Sequence, residues 1–292
     1  MSTSSTSSEP GPAPKSLTAP ELTILEPGRT ERNYWRDIWR YRELFQVLAW
    51  RDLSVRYKQT VFGLGWALIR PLLTMLVFTI VFGRIAQLPP DGTAPYALMV
   101  LAGTLPWTLF STGLSDASNS LVNNAHLIGK VYFPRLIVPT ATVVVAFVDF
   151  LIGFFMLLLL MLWYRFLPDW RILLLPGCVL LAFLASIGPA LWITALNVKY
   201  RDFRYVIPFV VQFGLYVSPV GFSSNVIPDN WRLLYSLNPM VGVIDGFRWC
   251  ILAGQSKIHA SGLLASASVT AFFLWFGIHQ FRKMEKSFAD LI

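Results

Sequence analysis

Asp149 stands inside FPRLIVPTATVVVAFVDFLIGFFMLLLLMLWY, an apolar run from Phe133 that exceeds a single membrane crossing. A carboxylate at such depth in hydrocarbon costs at least about 2.5 kcal/mol unless it is paired or hydrated. It therefore serves either a wet transport path or a hydrogen bond between helices. Arg70 poses the same problem elsewhere. The run LLTMLVFTIVFG after Pro71 is too short to cross alone, so its helix must begin several residues earlier, near Leu64. At a rise of about 1.5 Å per residue, Arg70 then lies roughly 9 Å along that helix. There it either snorkels to the headgroups or faces a cavity and grips an anionic group with its guanidinium fork.

Other reactive constellations are missing from the sequence. It contains no GxxxxGK[ST] loop for ATP phosphates, and IGKV at Ile128 lacks the upstream glycine and the hydroxyl. HExxH and GxSxG do not occur, and the acidic residues form no carboxylate pair for acid-base or metal work. Cys178 and Cys250 lack CxxC spacing and sit in apolar surroundings, which predicts two small buried hydrophobes. His126, His259 and His279 lie far apart. The reading is a non-enzyme with no metal and no cofactor in its own chain.

Composition sets the class. The 292 residues are 55% hydrophobic and 14% charged, whereas a soluble domain carries about 25% charged residues. An all-α integral membrane protein follows. The net charge of +8 does not signal nucleic acid, because the lysines and arginines flank apolar runs and build no basic, aromatic-interleaved patch.

Three segments are expected. Residues 1–33, rich in Ser, Thr and Pro, read as a disordered cytoplasmic head. Residues 34–60 read as an amphipathic interface helix, with Ile38, Tyr41, Leu44, Phe45 and Leu48 on one face; Arg36, Arg40, Glu43 and Arg51 lie opposite, and Val47 and Trp50 break the pattern. Its apolar side is expected in the acyl boundary and its arginines at the headgroups. Residues 61–292 form the transmembrane domain, with six spans near 62–85, 95–115, 134–164, 171–197, 203–222 and 262–281. Six crossings place both termini on one side. Lys130, Arg135, Lys199, Arg201, Arg204, Arg282 and Lys283 crowd that side, which makes it cytoplasmic. Between the fifth and sixth spans, pieces interrupted by Pro228, Pro239, Asp245 and Arg248 are too short to cross and read as a re-entrant pair.

Trp66, Trp107, Phe110, Tyr216 and Trp249 make the spans unusually aromatic. Such rings stack on sugar C–H faces or anchor helices at the interface. Two loops stand out on the cytoplasmic side: SDASNSLVNNAHLIGKVYFPR from Ser115, with Leu121, Ala125 and Ile128 on one side of a short helix, and NVKYRDFRYVIP from Asn197.

Four stretches in order, WRDLSVRYKQTVFGLGWALIRPLL, NNAHLIGKVYFPRLIVP, LNVKYRDFRYVIP and LNPMVGVIDGFR, resemble the membrane subunits of type 2 ABC transporters that export polysaccharides such as O-antigen, capsule and teichoic acid. The likeness runs from about Tyr34 to the C-terminus. It implies a homodimer in the inner (cytoplasmic) cell membrane, two copies of a cytoplasmic ATPase subunit that hold ATP and Mg, and a lipid-linked glycan substrate. It also implies that Asn123, Asn124, His126 and Lys130 seat in the ATPase with Tyr200, Arg201 and Asp202 nearby. Asn238, Pro239, Asp245, Arg248 and Trp249 would form an outer gate; Trp66, Arg70, Trp107, Phe110, Asp149 and Tyr216 would line the substrate path. Two other readings compete: an exporter of drugs or lipids on the same architecture, and a membrane glycosyltransferase acting on polyprenyl-linked sugars. The latter needs clustered carboxylates, and Asp169, Asp229 and Asp245 are dispersed.

Overall fold

The computed structural model describes residues 34–58, 65–200, 202–256, 258–286 and 288. The 1–33 head and Arg201 therefore lie outside the described residues. Among the described residues every regular element is helical. Five helical segments are long and apolar enough to cross a membrane: Gly65–Ile85, Tyr96–Asn123, Ile137–Trp163, Trp170–Lys199 and Ala260–Glu285.

The chain begins with α1 (Tyr34–Arg40) and α2 (Arg42–Lys58). Ile38, Tyr41, Leu44, Phe45 and Leu48 do share a face, but it packs against Leu121, Leu136, Ile137 and Phe281 of the protein itself. This corrects the expected placement of that face in the acyl boundary. Trp35, Trp39, Val47 and Trp50 point outward instead. The two residues that broke the pattern belong to the outward side.

α3 (Gly65–Phe78) runs on as a π-helical segment, Thr79–Ile85. Leu73, Leu76 and Val77 form an exposed face, while Leu68, Leu72, Met75 and Phe78 pack against the core. α4 (Tyr96–Asn123) is the central helix, buried along most of its length and packed on α6 (Ile137–Trp163) and α7 (Leu175–Lys199). The expected cytoplasmic loop from Ser115 is helical as far as Asn123, which corrects the boundary near 115. The reason is tertiary. Ala117, Ser118, Ser120 and Leu121 are buried, and the Ala117 and Ser118 carbonyls accept from Thr194 and Asn197 of α7. Ser118, Asn119 and Ser120 satisfy their own polar groups on carbonyls three or four residues earlier. α5 (Ala125–Ile128) follows after Asn124.

α7 is entered through a 3-10 turn, Trp170–Leu174, capped by the Asp169 side chain. It crosses α11 (Ala260–Glu285) where Gly188 meets Gly277; a Cβ on Gly277 would fall 2.1 Å from the Gly188 carbonyl oxygen. Only paired glycines allow that approach. α8 (Phe203–Val217) has 15 residues, short of the about 20 that a perpendicular crossing requires. Two short helices, α9 (Asp229–Tyr235) and α10 (Pro239–Ile251), separate it from α11. α10 is buried from Met240 to Arg248, so the polar groups of this segment are covered by protein.

Candidate functional site

The sequence-predicted residues fall at two ends of the helix bundle. At one end, Asn124 accepts from Arg51 of α2 at 2.8 Å and donates to the Ser120 carbonyl at 2.8 Å. Asn197, near the end of α7, donates to the Ser118 carbonyl at 2.8 Å. These bonds bring Asn123, Asn124, His126 and Lys130 to the same end as Tyr200 and Asp202. Asn123, His126, Lys130, Tyr200 and Asp202 are exposed there.

Glu285, at the end of α11, gathers the same region. Its carboxylate accepts from the Tyr34 hydroxyl at 3.0 Å and from the Arg135 backbone N–H at 2.8 Å. The Arg282 guanidinium lies 4.8 Å from the centre of the Tyr34 ring. Burial first, and the Glu285 carboxylate second, push the Tyr34 phenol well above its ordinary pKa. It remains a donor at physiological pH.

Asp149 is paired. The Arg56 guanidinium, from the end of α2, bridges Asp149 on α6 and Asp116 on α4, and the Tyr57 hydroxyl donates to the other Asp149 oxygen. Burial alone would lower the Arg56 pKa, but Asp149 and then Asp116 outweigh it and hold the guanidinium charged. Burial, reinforced by the bond to Asp149, pushes Tyr57 up. With one arginine against two carboxylates the cluster carries a net negative charge. Sequence periodicity missed Asp116 and the Arg56 and Tyr57 contacts, because the partners are 60, 93 and 92 positions apart.

Of the aromatic residues, Trp107 is buried and fits a notch at Gly214, where a Cβ would meet its ring at 2.8 Å. Phe110 leans on it at 5.4 Å. Trp66, Arg70 and Tyr216 are exposed on α3 and α8. Tyr205, Phe209 and Phe213 share the outward side of α8 with Tyr216. Phe209 and Phe213 stack at 6.2 Å. The four-residue spacing of 205, 209 and 213 was readable as a stripe in the sequence. Beside α2, an open apolar groove of about 660 Å³ lies against α6, lined by Phe45, Val47, Trp50, Leu53, Val144 and Val148.

At the other end, Asn238 caps α10 by accepting from the Met240 N–H at 3.0 Å, and Pro239 occupies its first turn. Arg248 is fully buried and donates to the carbonyls of Met99 at 3.0 Å, Phe222 at 2.8 Å and Val220 at 2.8 Å. Asp245 is buried on the same helix. Trp249 lies under the Arg171 guanidinium at 4.9 Å, and Arg171 also donates to the Ala253 carbonyl at 2.6 Å. Cys178 on α7 faces Cys250 on α10, so the two thiols are neighbours as well as partly or wholly buried.

A bundle of long apolar helices, with paired charges among them, exposed polar residues at one end and the buried α10 at the other, is that of a multi-pass membrane protein. The chain belongs to the ABC-2 type transporter family, whose profile matches residues 43–252. It is 27% identical to the O-antigen export system permease protein RfbA of Myxococcus xanthus over 259 residues, 88% of this chain and 98% of that protein. Two proteins of the same description from Klebsiella pneumoniae are 26% and 24% identical, each over 86% of this chain and 95% of their own length.

Proposed function

We propose that this chain is the permease subunit of an ATP-driven exporter that carries a lipid-linked polysaccharide across the cytoplasmic membrane. The observation that carries this reading is the near full-length likeness to three proteins described as O-antigen export permeases. Five spans, with a sixth made by α8 continued through the buried stretch 218–221, give six crossings with both termini cytoplasmic. α1 and α2 lie along the inner surface, and α9 and α10 dip into the outer leaflet as the outer gate.

Each protomer leaves the aromatic side of α8 and the Leu73, Leu76 and Val77 face of α3 uncovered, so a second copy closes the wet path that a polar polymer needs. Two ATPase subunits, holding ATP and Mg, dock on α5 and on Tyr200 and Asp202; nucleotide binding shifts which side is open. Within this scheme Arg56 is already matched by two carboxylates and is not the phosphate ligand. Exposed Arg70 takes that role, the groove beside α2 holds the lipid chain, and the α8 stripe guides the sugars. Buried Trp107 and Phe110 support the wall behind it.

Two outcomes check these roles. Arg70→Gln lowers glycan-dependent ATP hydrolysis about tenfold, the loss of one charge-assisted phosphate contact; wild-type stimulation would remove Arg70 from the path. Phe209→Ala with Phe213→Ala lowers export about thirtyfold from two lost stacking contacts of around 1 kcal/mol each, with the melting temperature unchanged because both rings are exposed. The function itself is tested by depletion: lipid-linked polymer accumulates on the cytoplasmic side. Altered drug sensitivity without accumulation would move the cargo to drugs or lipids.

A further inference from the structure

Between α9, α10 and the start of α11 lies a nearly closed chamber lined by Ser224, Arg232, Tyr235, Ser236, Asp245 and His259, among others. Its free space is about 10 Å³, the room for a single water molecule. Three polar atoms of its lining are buried without a protein partner: Asp245 Oδ1, the Tyr235 hydroxyl and Arg232 Nε. Asp245 is itself 9% exposed. The rest of the Arg232 guanidinium is engaged by Asp229, by the His259 ring at 2.9 Å and by the Ile227 carbonyl at 3.3 Å.

The chemistry of these atoms selects the ligand. Arg232 Nε can only donate, so the occupant must accept. Burial pushes the Asp245 carboxyl up to about 7. Near neutral pH it is therefore present both as a carboxylate, which needs a donor, and as an acid, which can itself donate. An occupant that both donates and accepts serves either form. A metal ion cannot accept from an N–H and is opposed by the guanidinium charge. Chloride can only accept, so it suits the protonated acid alone and is repelled by the carboxylate form. Water does both and has a further bond for Tyr235, completing the roughly three bonds that a buried water makes. Burial, and then the Asp245 charge, push the Tyr235 phenol up, which keeps its proton in place for that bond.

We propose that this chamber is a binding site for one water molecule, which joins Asp245 of α10 to Tyr235 and Arg232 of α9. The site matters because no side chain of α9 is buried in the protein. Trp231, Leu233 and Leu234 of α9 are exposed, so its attachment runs through polar contacts. A seam joined through water parts without stripping apolar surface between α9 and α10.

The test uses the full chain in nanodiscs. An experimental map that shows ordered waters contains a peak between Asp245, Tyr235 and Arg232. Amide exchange across residues 229–235 rises on the order of tenfold in Tyr235→Phe, one bridging bond lost. It rises comparably in Asp245→Asn, and the double variant exchanges no faster than the faster single one, because both side chains act through one water. An empty chamber in the map, or increments that multiply in the double variant, would overturn the proposal. If Asp245→Asn does not fold, the map and the Tyr235→Phe exchange still decide. The cargo plays no part in these readouts, so they stand or fall apart from the exporter reading.

Discussion

Arg248→Met is expected to abolish accumulation of the folded protein. The guanidinium is fully buried and satisfies three backbone carbonyls drawn from α4 and from the segment after α8. Methionine fills the volume but leaves those carbonyls in an apolar interior, each an unsatisfied acceptor that costs about 1–3 kcal/mol. Removing the buried charge refunds part of its desolvation, so the net loss is about 3–5 kcal/mol. That is a large share of the 5–15 kcal/mol or so by which a domain is stable.

Arg248→Lys rescues little, because one ammonium cannot reach three carbonyls spread around a planar fork. Gly103→Ala acts in the same direction: its Cβ would fall 2.7 Å from Arg248 Nη2 and 2.8 Å from the Val220 carbonyl oxygen. Membrane yield and thermal melting in detergent report the effect. If Arg248→Met melted within about 2 °C of the wild type, the three-carbonyl clamp would not be holding this end together.

Arg56→Ala is the second large change, expected to cost about 2–3 kcal/mol. It leaves Asp116 and Asp149 without their shared cation and removes the ion pairs from the end of α2 to α4 and α6, with the Tyr57 bond to Asp149 remaining. The figure sits below that for a fully buried pair because these side chains are 26–35% exposed and water screens them. Arg56→Lys keeps the charge but not the two-sided bridge, and falls between. Adding Asp116→Asn to Arg56→Ala recovers part of the loss, because it removes one of the two repelling charges. Melting temperature and amide exchange along α2 measure both. Without recovery in the double variant, the damage would come from lost packing of the Arg56 stem and not from charge imbalance.

Much of the architecture was legible because hydrocarbon allows few solutions. The run from Phe133 announced a long helix, found as Ile137–Trp163, since backbone groups in lipid must bond within their own helix. The face of Ile38, Tyr41, Leu44, Phe45 and Leu48 was also readable from its period. What that face meets was not, because an apolar stripe is equally suited to lipid and to protein. Only the packing of α2 on the bundle assigned it inward and turned Trp35, Trp39 and Trp50 outward.

The charges divide in the same way. Sequence alone identified this chain as a membrane protein without an ATP-binding loop, and flagged Asp149 as a charge that needs partners, because ionised side chains in apolar surroundings are too costly to stand alone. Only the tertiary structure named those partners. Arg56 reaches across 60 and 93 positions to two carboxylates, and Arg248 across 149, 26 and 28 positions to three carbonyls. Burial cost is a property of residue type and local hydropathy, which the sequence carries. Pairing depends on how helices distant in the chain cross, and that is decided only when they pack.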